Sequence, residues 1–493
     1  MTRPSSDPND FDIIIVGAGL SGICAAWHLM RARPNDRIAL FEARDDVGGT
    51  WDLFSYPGVR SDSDMPTLGY TFRPWIEDES IADGARIKRY IKATAEDGGI
   101  LPHIRFGHRL RGADWNSQQQ QWSLRLRKTD DNTLVQCRCR FMLLCTGYYD
   151  YAAGYTPDFP GRDGFAGDWI HPQHWPQDYA LDGKRIAVIG SGATAVTLVP
   201  SLAEAGAHVT MVQRTPTYIA EMPARDRLSR WAHRWFGARV AHWLTRWKNI
   251  LYTMSVFQLS RRFPGMIRKQ ILGNIKERLG DTLDVDKHFR PPYDPWDQRL
   301  CLAPDGDFFA AIVQGKASVA TGAITGFDAH AVHLDDGTVV DADTVVCATG
   351  LALQVAGGAR ISIDGVRVEA NERTTYKGAM LSGVPNLALT MGYTNASWTL
   401  KCELIAEWVV RLLAHMDDNG KAVVQPQSVD TDGARPFIDL DAGYIKRAAA
   451  ILPRQTRQRP WVVNQNYFLD LHAFKWSSID DDALQFLPPD SHN

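Results

Sequence analysis

The 493-residue sequence predicts an α/β fold of two parallel-sheet units, because one structural plan is written twice along it and a third, helical character interrupts the second copy. The plan is an apolar run, a glycine turn and a helix-like apolar stretch: "IIIVGAGLSGICAAWHL" from Ile13 and "IAVIGSGATAVTLV" from Ile186. Four consecutive apolar residues ended by glycine suit a strand buried on both faces of a parallel sheet. Residues 225–278 differ: they are rich in Trp, Leu, Ile, Arg and Lys at helical spacing, with thirteen basic and two acidic residues.

Each element follows from local sequence. After the first turn comes a strand, Ile38 to Phe41, ending at Glu42. The stretch "WSLRLRKTDDNTLVQCRCRF" alternates around Asp130-Asp131-Asn132 and predicts a β-hairpin laid over the sheet. "FMLLCTG" returns a strand and leaves at Thr146-Gly147. In the second copy "HVTMVQR" ends at Arg214, and the hairpin-like "AVHLDDGTVVDADTVVCATG" closes the unit at Thr349-Gly350. Beyond it lie a strand-like segment and a long helix with an apolar stripe at Leu404, Trp408, Leu412 and Met416, which are expected to rejoin the first unit. The final "PPDSHN" is expected to be disordered. The predicted division is thus 1–150 with 351–493, then 151–216 with 299–350, and an insertion at 217–298.

Composition bounds the function. Apolar residues make up 44% and charged ones 23%, the balance of a soluble globular protein. A net charge of −3 creates no field that would gather nucleic acid, so no nucleic-acid partner is expected. The seven cysteines include no C-x-x-C pair, which suits buried free thiols in a reducing cytoplasm. No signal peptide is expected, and the uncharged stretches Ile13–Met30 and Ile186–Ala203 contain glycine turns that rule them out as membrane spans. The basic insertion reads either as a solvated helix face or as a peripheral membrane-contact patch.

The glycines carry the chemistry. In Gly17-x-Gly19-x-x-Gly22 the first permits a tight turn, the second lets a pyrophosphate reach the backbone and the third lets helix and strand pack closely. Glu42, 20 residues past Gly22, can accept hydrogen bonds from a ribose diol and would repel a 2′-phosphate, so the first unit is expected to bind FAD or NAD. Gly190-x-Gly192-x-x-Ala195 repeats the turn. Here the position 19 residues beyond Ala195 is Arg214, followed by Thr215, a pair suited to the 2′-phosphate of NADPH. Two such sites of opposite charge imply a hydride passing from NADPH to FAD.

Two longer motifs resemble those of the type I Baeyer-Villiger monooxygenases. "GGTWDLFSYPGVRSD", Gly48 to Asp62, is similar to the family's flavin-side motif, and "FAGDWIHPQHWP" fills every specified position of its other fingerprint with Phe165, Gly167, His171, Trp175 and Pro176. The resemblance spans essentially the whole chain. It implies that Gly49, Thr50, Trp51 and Asp62 face the flavin, that His171 positions the linker between the FAD and NADPH domains, and that Arg299 of "DPWDQRLC" is the catalytic arginine, held by Asp62. Gln298 stands where the family usually has lysine, leaving NADPH selectivity to Arg214 and Thr215. No metal site is expected at His171 and His174 for want of a third ligand at metal spacing. "DPWDQRLC" and "GYTNASWTLK" resemble the ethionamide-activating subgroup, with Asn395 and Trp398 either lining the site or serving as core.

The implied activity is NADPH- and O2-dependent conversion of ketones to esters or lactones through a C4a-peroxyflavin, with sulfoxidation in the same site. The alternatives are an S- or N-oxygenase acting on sulfides, thioamides or amines, an NADPH oxidase, and a non-catalytic redox or membrane-bound flavoprotein.

Overall fold

A computed structural model describes residues 7–427 and 433–490. Both predicted units are present as five-stranded parallel arrangements with one strand order. In the first, the order is Ile104–Arg105, Ile38–Phe41, Asp10–Val16, Leu134–Leu144, Leu387–Leu389. In the second it is Ala317–Thr321, His208–Gln213, Arg185–Ile189, Thr344–Cys347, Asp168–Ile170.

Side-chain alternation along each central strand builds two cores. Ile13 and Ile15 face a layer containing the helices Leu20–Ala32 and Trp398–Asp418, whereas Ile14 and Val16 face a β-layer with Trp115, Trp122 and Leu124. The second unit repeats this: Ile186 and Val188 pack toward the helix Ala193–Glu204, and Ala187 and Ile189 toward a three-stranded antiparallel sheet. A strand that is apolar at every position therefore has a core on each side of it. Leu404, Trp408, Leu412 and Met416 are all buried in the first core, as the stripe requires.

Three expectations change. The expected hairpin around Asp130-Asp131-Asn132 forms, with Gln121–Lys128 antiparallel to the start of Leu134–Leu144, but it is continuous with the sheet and not laid over it, because the end of that one long strand is in the parallel sheet; His108–Asn116 adds a third strand. The tail stretch expected to be disordered begins ordered, with Gln120 Nε2 donating to the Pro488 carbonyl at 3.0 Å and the Asp490 N–H donating to Gln120 Oε1 at 3.1 Å. Its residues 491–493 lie outside the described residues.

The insertion, third, serves both units. It opens from the strand Ile219–Met222, which pairs with Cys301–Pro304, and comprises the helices Arg227–Trp235, Ala238–Arg262, Pro264–Leu279 and Val285–Phe289. Ile250 and Met254 join the first core; Ile271, Ile275 and Leu279 join the second. Arg246 locks it down, donating to the carbonyls of Pro66, Thr67 and Gly69 at 3.0, 3.3 and 2.6 Å and to Glu403 at 3.2 Å. A buried guanidinium is tolerated only when its donors are satisfied in this way. Among the described residues no helix is long and apolar enough to cross a membrane, and all seven cysteines are free and buried.

Candidate functional site: one cavity between two glycine turns

The two chain crossings between the units pair with each other. Tyr149–Gly154 runs antiparallel to Leu351–Leu353, and Thr349 Oγ1 donates to the Tyr155 carbonyl at 2.6 Å. The segment around His171 braces this ribbon. Asp168–Ile170 is the edge strand of the second sheet, His174 Nε2 lies 3.1 Å from the Ala152 carbonyl, and the His171 ring fills the place where Gly154 has no side chain. A Cβ on Gly154 would meet His171 Cε1 at 1.9 Å. His171 Nδ1 accepts from the Gln173 N–H at 3.2 Å, and burial pushes the imidazole pKa down, so the ring is neutral. His171 does not line the cavity described next; its ring packs against the linker at Gly154.

A single cavity of about 1280 Å³ runs from one glycine turn to the other. Gly17, Gly19, Glu42, Gly49, Thr50 and Trp51 line its first end, with Thr146 and Gly147 from the adjacent strand exit. Gly190, Gly192, Arg214, Thr215, Thr349 and Gly350 line the second, and Asp62 and Arg299 line the same cavity. Gly22 and Ala195 are off the wall, at the contact of helix with turn, where a third-position residue belongs.

The fit to dinucleotides is visible in what side chains would obstruct. A Cβ on Gly17 would lie 2.5 Å from the Cys145 carbonyl oxygen, and one on Gly190 2.3 Å from that of Ala348; both glycines have positive φ. Glu42 organises the first turn directly, with Oε2 accepting from the Ala18 N–H at 2.7 Å and Oε1 from the Arg44 N–H at 2.9 Å. Burial pushes its pKa up while these backbone donors pull it down, and the raised value reflects burial winning. A carboxylate offers about four acceptor positions, so two remain for a ribose diol. Arg214 is exposed on the cavity and has no carboxylate partner among the described residues, while the Thr215 carbonyl accepts from Ser191 Oγ at 3.0 Å and fixes the second turn.

The centre holds a charge pair. Arg299 Nη2 lies 2.8 Å from Asp62 Oδ2. Burial opposes the arginine's charge, but Asp62 and the surrounding tyrosines outweigh it and hold the guanidinium pKa above its ordinary value. The loop before it is strained and buttressed: Trp296 has φ 71°, Arg261 bonds Asp297 at 2.6 Å, and Phe257 packs edge-on against the Trp296 ring. A left-handed bulky residue beside a functional side chain is strain the surroundings must hold in place.

Sequence reasoning missed the aromatic frame. Tyr148, Tyr149 and Tyr444 surround Arg299, and burial pushes the Tyr149 hydroxyl up to about 12 and the other two upward as well, so all three stay neutral O–H groups. The first two directly follow the "CTG" strand exit and were findable; Tyr444 comes from the far tail with no local signal. Trp398 both packs and lines: its ring stacks on Tyr148 at 5.2 Å, its Nε1 donates to Ser21 Oγ at 3.0 Å, and it faces the cavity. Asn395 is buried and tied to the Gln465 carbonyl at 2.9 Å, away from the cavity wall.

Two glycine turns opening on one cavity, with the Arg299–Asp62 pair on its wall, are an arrangement suited to a two-nucleotide oxidoreductase. The model of the flavin-binding monooxygenase-like family matches residues 11–418, and the chain belongs to that family. It is 48% identical over 97% of both chains to the FAD-containing monooxygenase EthA of Mycolicibacterium smegmatis. It is 49% identical to the EthA of Mycobacterium tuberculosis over 96% of this chain and 97% of that one. Among solved structures it resembles an oxidized steroid monooxygenase bound to NADP, with TM-score 0.76, 21% identity and coverage of 97% and 100%. An ε-caprolactone-bound cyclohexanone monooxygenase matches with TM-score 0.74, 19% identity and coverage of 97% and 99%.

Proposed function

We propose that this protein is a cytoplasmic, FAD-dependent monooxygenase that uses NADPH and O2 to convert ketones into esters or lactones and oxygenates soft sulfur in the same site. The observation that carries the reading is the Arg299–Asp62 pair at 2.8 Å on the wall of the cavity that both glycine turns share. We further propose the division into an FAD-binding part (1–150 and 351–493), an NADPH-binding part (151–216 and 299–350) and the insertion (217–298).

The chemistry that bound FAD supplies is uptake of a hydride from NADPH and reduction of O2. The chain's residues do the rest. The bare backbone at Gly17, Gly19 and Gly49 admits one pyrophosphate, and Glu42 takes the ribose diol. Gly190 and Gly192 admit the second, and Arg214 with Thr215 holds the 2′-phosphate. Arg299 keeps a permanent positive charge where negative charge develops during oxygen transfer, and a fixed cation in a water-poor site stabilises far more than one in bulk solvent. Asp62 orients the guanidinium. Tyr148, Tyr149, Tyr444 and Trp398 frame the guanidinium, and His171 sets the linker that brings the two nucleotide sites together.

The test is Arg299→Ala in the FAD-loaded enzyme. Ester or lactone formation should fall by about 100-fold or more, the scale of losing one pre-organised electrostatic contact, while NADPH still bleaches the flavin. Oxygenation of ketone at full rate would overturn the assignment. Products from a ketone and a thioether measured side by side tell the two oxygenations apart, and H2O2 as sole product would favour the oxidase.

A further inference from the structure

Among the described residues twenty-one large apolar side chains are exposed, and eleven of them fall between Leu228 and Met266. They follow helical spacing. Leu228, Trp231 and Trp235 form one stripe on the helix Arg227–Trp235, whose Ser229 and Ala232 face inward. Val240, Trp243 and Leu251 continue it on Ala238–Arg262, whose Ala241, Thr245 and Asn249 are buried. Trp231, Trp235 and Trp243 are 51%, 68% and 59% exposed. The Trp247 ring, beside this stripe, packs 6.4 Å from that of Phe468, which with Leu469 extends the apolar surface onto the tail.

The same surface is basic, and five of its cations are left unpaired among the described residues. Arg225, Lys248 and Arg261 are paired with Glu79, Asp226 and Asp297. Arg227, Arg230, Arg234, Arg239 and Arg262 are exposed and form no ion pair among the described residues. Soluble proteins seldom leave so large an apolar patch open to water, and such a patch marks a partner.

Charge selects the partner. A second copy docking through this face would set arginines against arginines. An anionic lipid surface meets both demands at once, since tryptophan and leucine enter the interface while arginine meets phosphate headgroups. We propose that the outer face of the helices Arg227–Trp235 and Ala238–Arg262 seats the enzyme on an anionic bilayer, lying on it without spanning. The seated helix also carries Phe257 and Arg261, which buttress the loop before Arg299, so the lipid-facing surface is one helix away from the cavity.

The experiment is flotation of the FAD-loaded enzyme with vesicles of phosphatidylcholine and phosphatidylglycerol, against vesicles of phosphatidylcholine alone. The wild type should float with the anionic vesicles, weaken in high salt and bind the neutral ones poorly. Arg230→Gln with Arg234→Gln should lower partitioning about 25-fold, at about fivefold per cation. Trp231→Ser with Trp235→Ser and Trp243→Ser should lower it at least about tenfold through lost interfacial burial. Flavin content and NADPH-driven ketone turnover in vesicle-free buffer should match wild type in the arginine variant, which separates loss of the face from loss of the fold. Absence of binding to anionic vesicles, or equal binding to neutral ones, would overturn the proposal. So would concentration-dependent self-association that the tryptophan variant abolishes while vesicle binding persists, which would make a second copy the occupant.

Discussion

The two glycine turns share a backbone plan and differ in how tightly they are enclosed. At the first, Gly19 is roofed by a second glycine pair, and a Cβ on Gly49 would lie 3.0 Å from Gly19 Cα. A Cβ on Gly22 would lie 1.8 Å from the Gly17 carbonyl oxygen. At the second, a Cβ on Gly192 would meet nothing within 4 Å, and Ala195 already occupies the third position with its methyl buried. The groups proposed to recognise ribose differ alike: Glu42 is buried and bonded to its own turn, whereas Arg214 is exposed and unpaired among the described residues. A closed, self-bonded turn suits a ligand that stays, and an open one suits a ligand that exchanges. The contrast supports the proposed assignment of a resident flavin to the first turn and a nicotinamide nucleotide, consumed in each turnover, to the second.

The largest expected effect breaks the closed turn. Gly22→Ala would drive a methyl into backbone, which no side-chain rotation can relieve, so the helix Leu20–Ala32 must move off its strand. We expect a loss above about 4 kcal/mol, in the range reserved for severe core defects, read as colourless or insoluble protein. A yellow protein with full flavin content would show that the turn can open after all. The matched change at the open turn, Gly192→Ala, should leave stability within about 1 kcal/mol and flavin content intact, yet raise the KM for NADPH about tenfold or more because the new methyl stands where the pyrophosphate approaches. If Gly192→Ala lost flavin and left KM for NADPH unchanged, the assignment of the two turns would be reversed.

Next come the ribose positions. If Arg214 holds the 2′-phosphate as proposed, Arg214→Ala removes one charge-assisted contact worth about 1.5–3 kcal/mol, so KM for NADPH should rise about 10- to 150-fold while KM for NADH barely moves. Equal shifts for both nucleotides would mean that Arg214 supports the fold and not the phosphate. Glu42→Gln keeps a single acceptor where two backbone donors now bond, so flavin should be retained less tightly, with no change in the preference between NADPH and NADH; titration of the apoprotein with FAD measures it.

These contrasts also explain what sequence reveals. The turns are legible because their requirements are local: buried strand, bare backbone and the acidic or basic residue one strand later all lie within a few dozen positions. The Arg299–Asp62 pair joins residues far apart in the chain, and no periodicity points to it; only the likeness of two long motifs to a known family did. Arg246 is harder still. Its place on a basic helix suggests a solvated cation, yet the carbonyls of Pro66, Thr67 and Gly69, nearly 180 residues away, bury it against the first unit. Tyr444 reaches Arg299 only through the docking of the tail, where the Asp441 N–H donates to the Asp297 carbonyl at 2.8 Å. Local patterning encodes elements and turns, whereas the coupling between units rests on contacts that the sequence does not announce.

The smallest effect gives the sharpest comparison. Ala195→Gly restores at the second turn the residue that the first turn cannot do without. If the open turn has no need of a bare third position, the change only removes a buried methyl and loosens the first turn of the helix Ala193–Glu204. The cost should then be about 1–2 kcal/mol, the sum of helix propensity and one buried methyl, seen as a Tm lower by a few degrees with KM for NADPH within about twofold of wild type. Because Ala195 is off the cavity wall, nothing in its removal should reach the nucleotide. A markedly lower KM in Ala195→Gly would mean that the methyl holds the helix away from the pyrophosphate, and that the openness of the second turn is set by this one side chain.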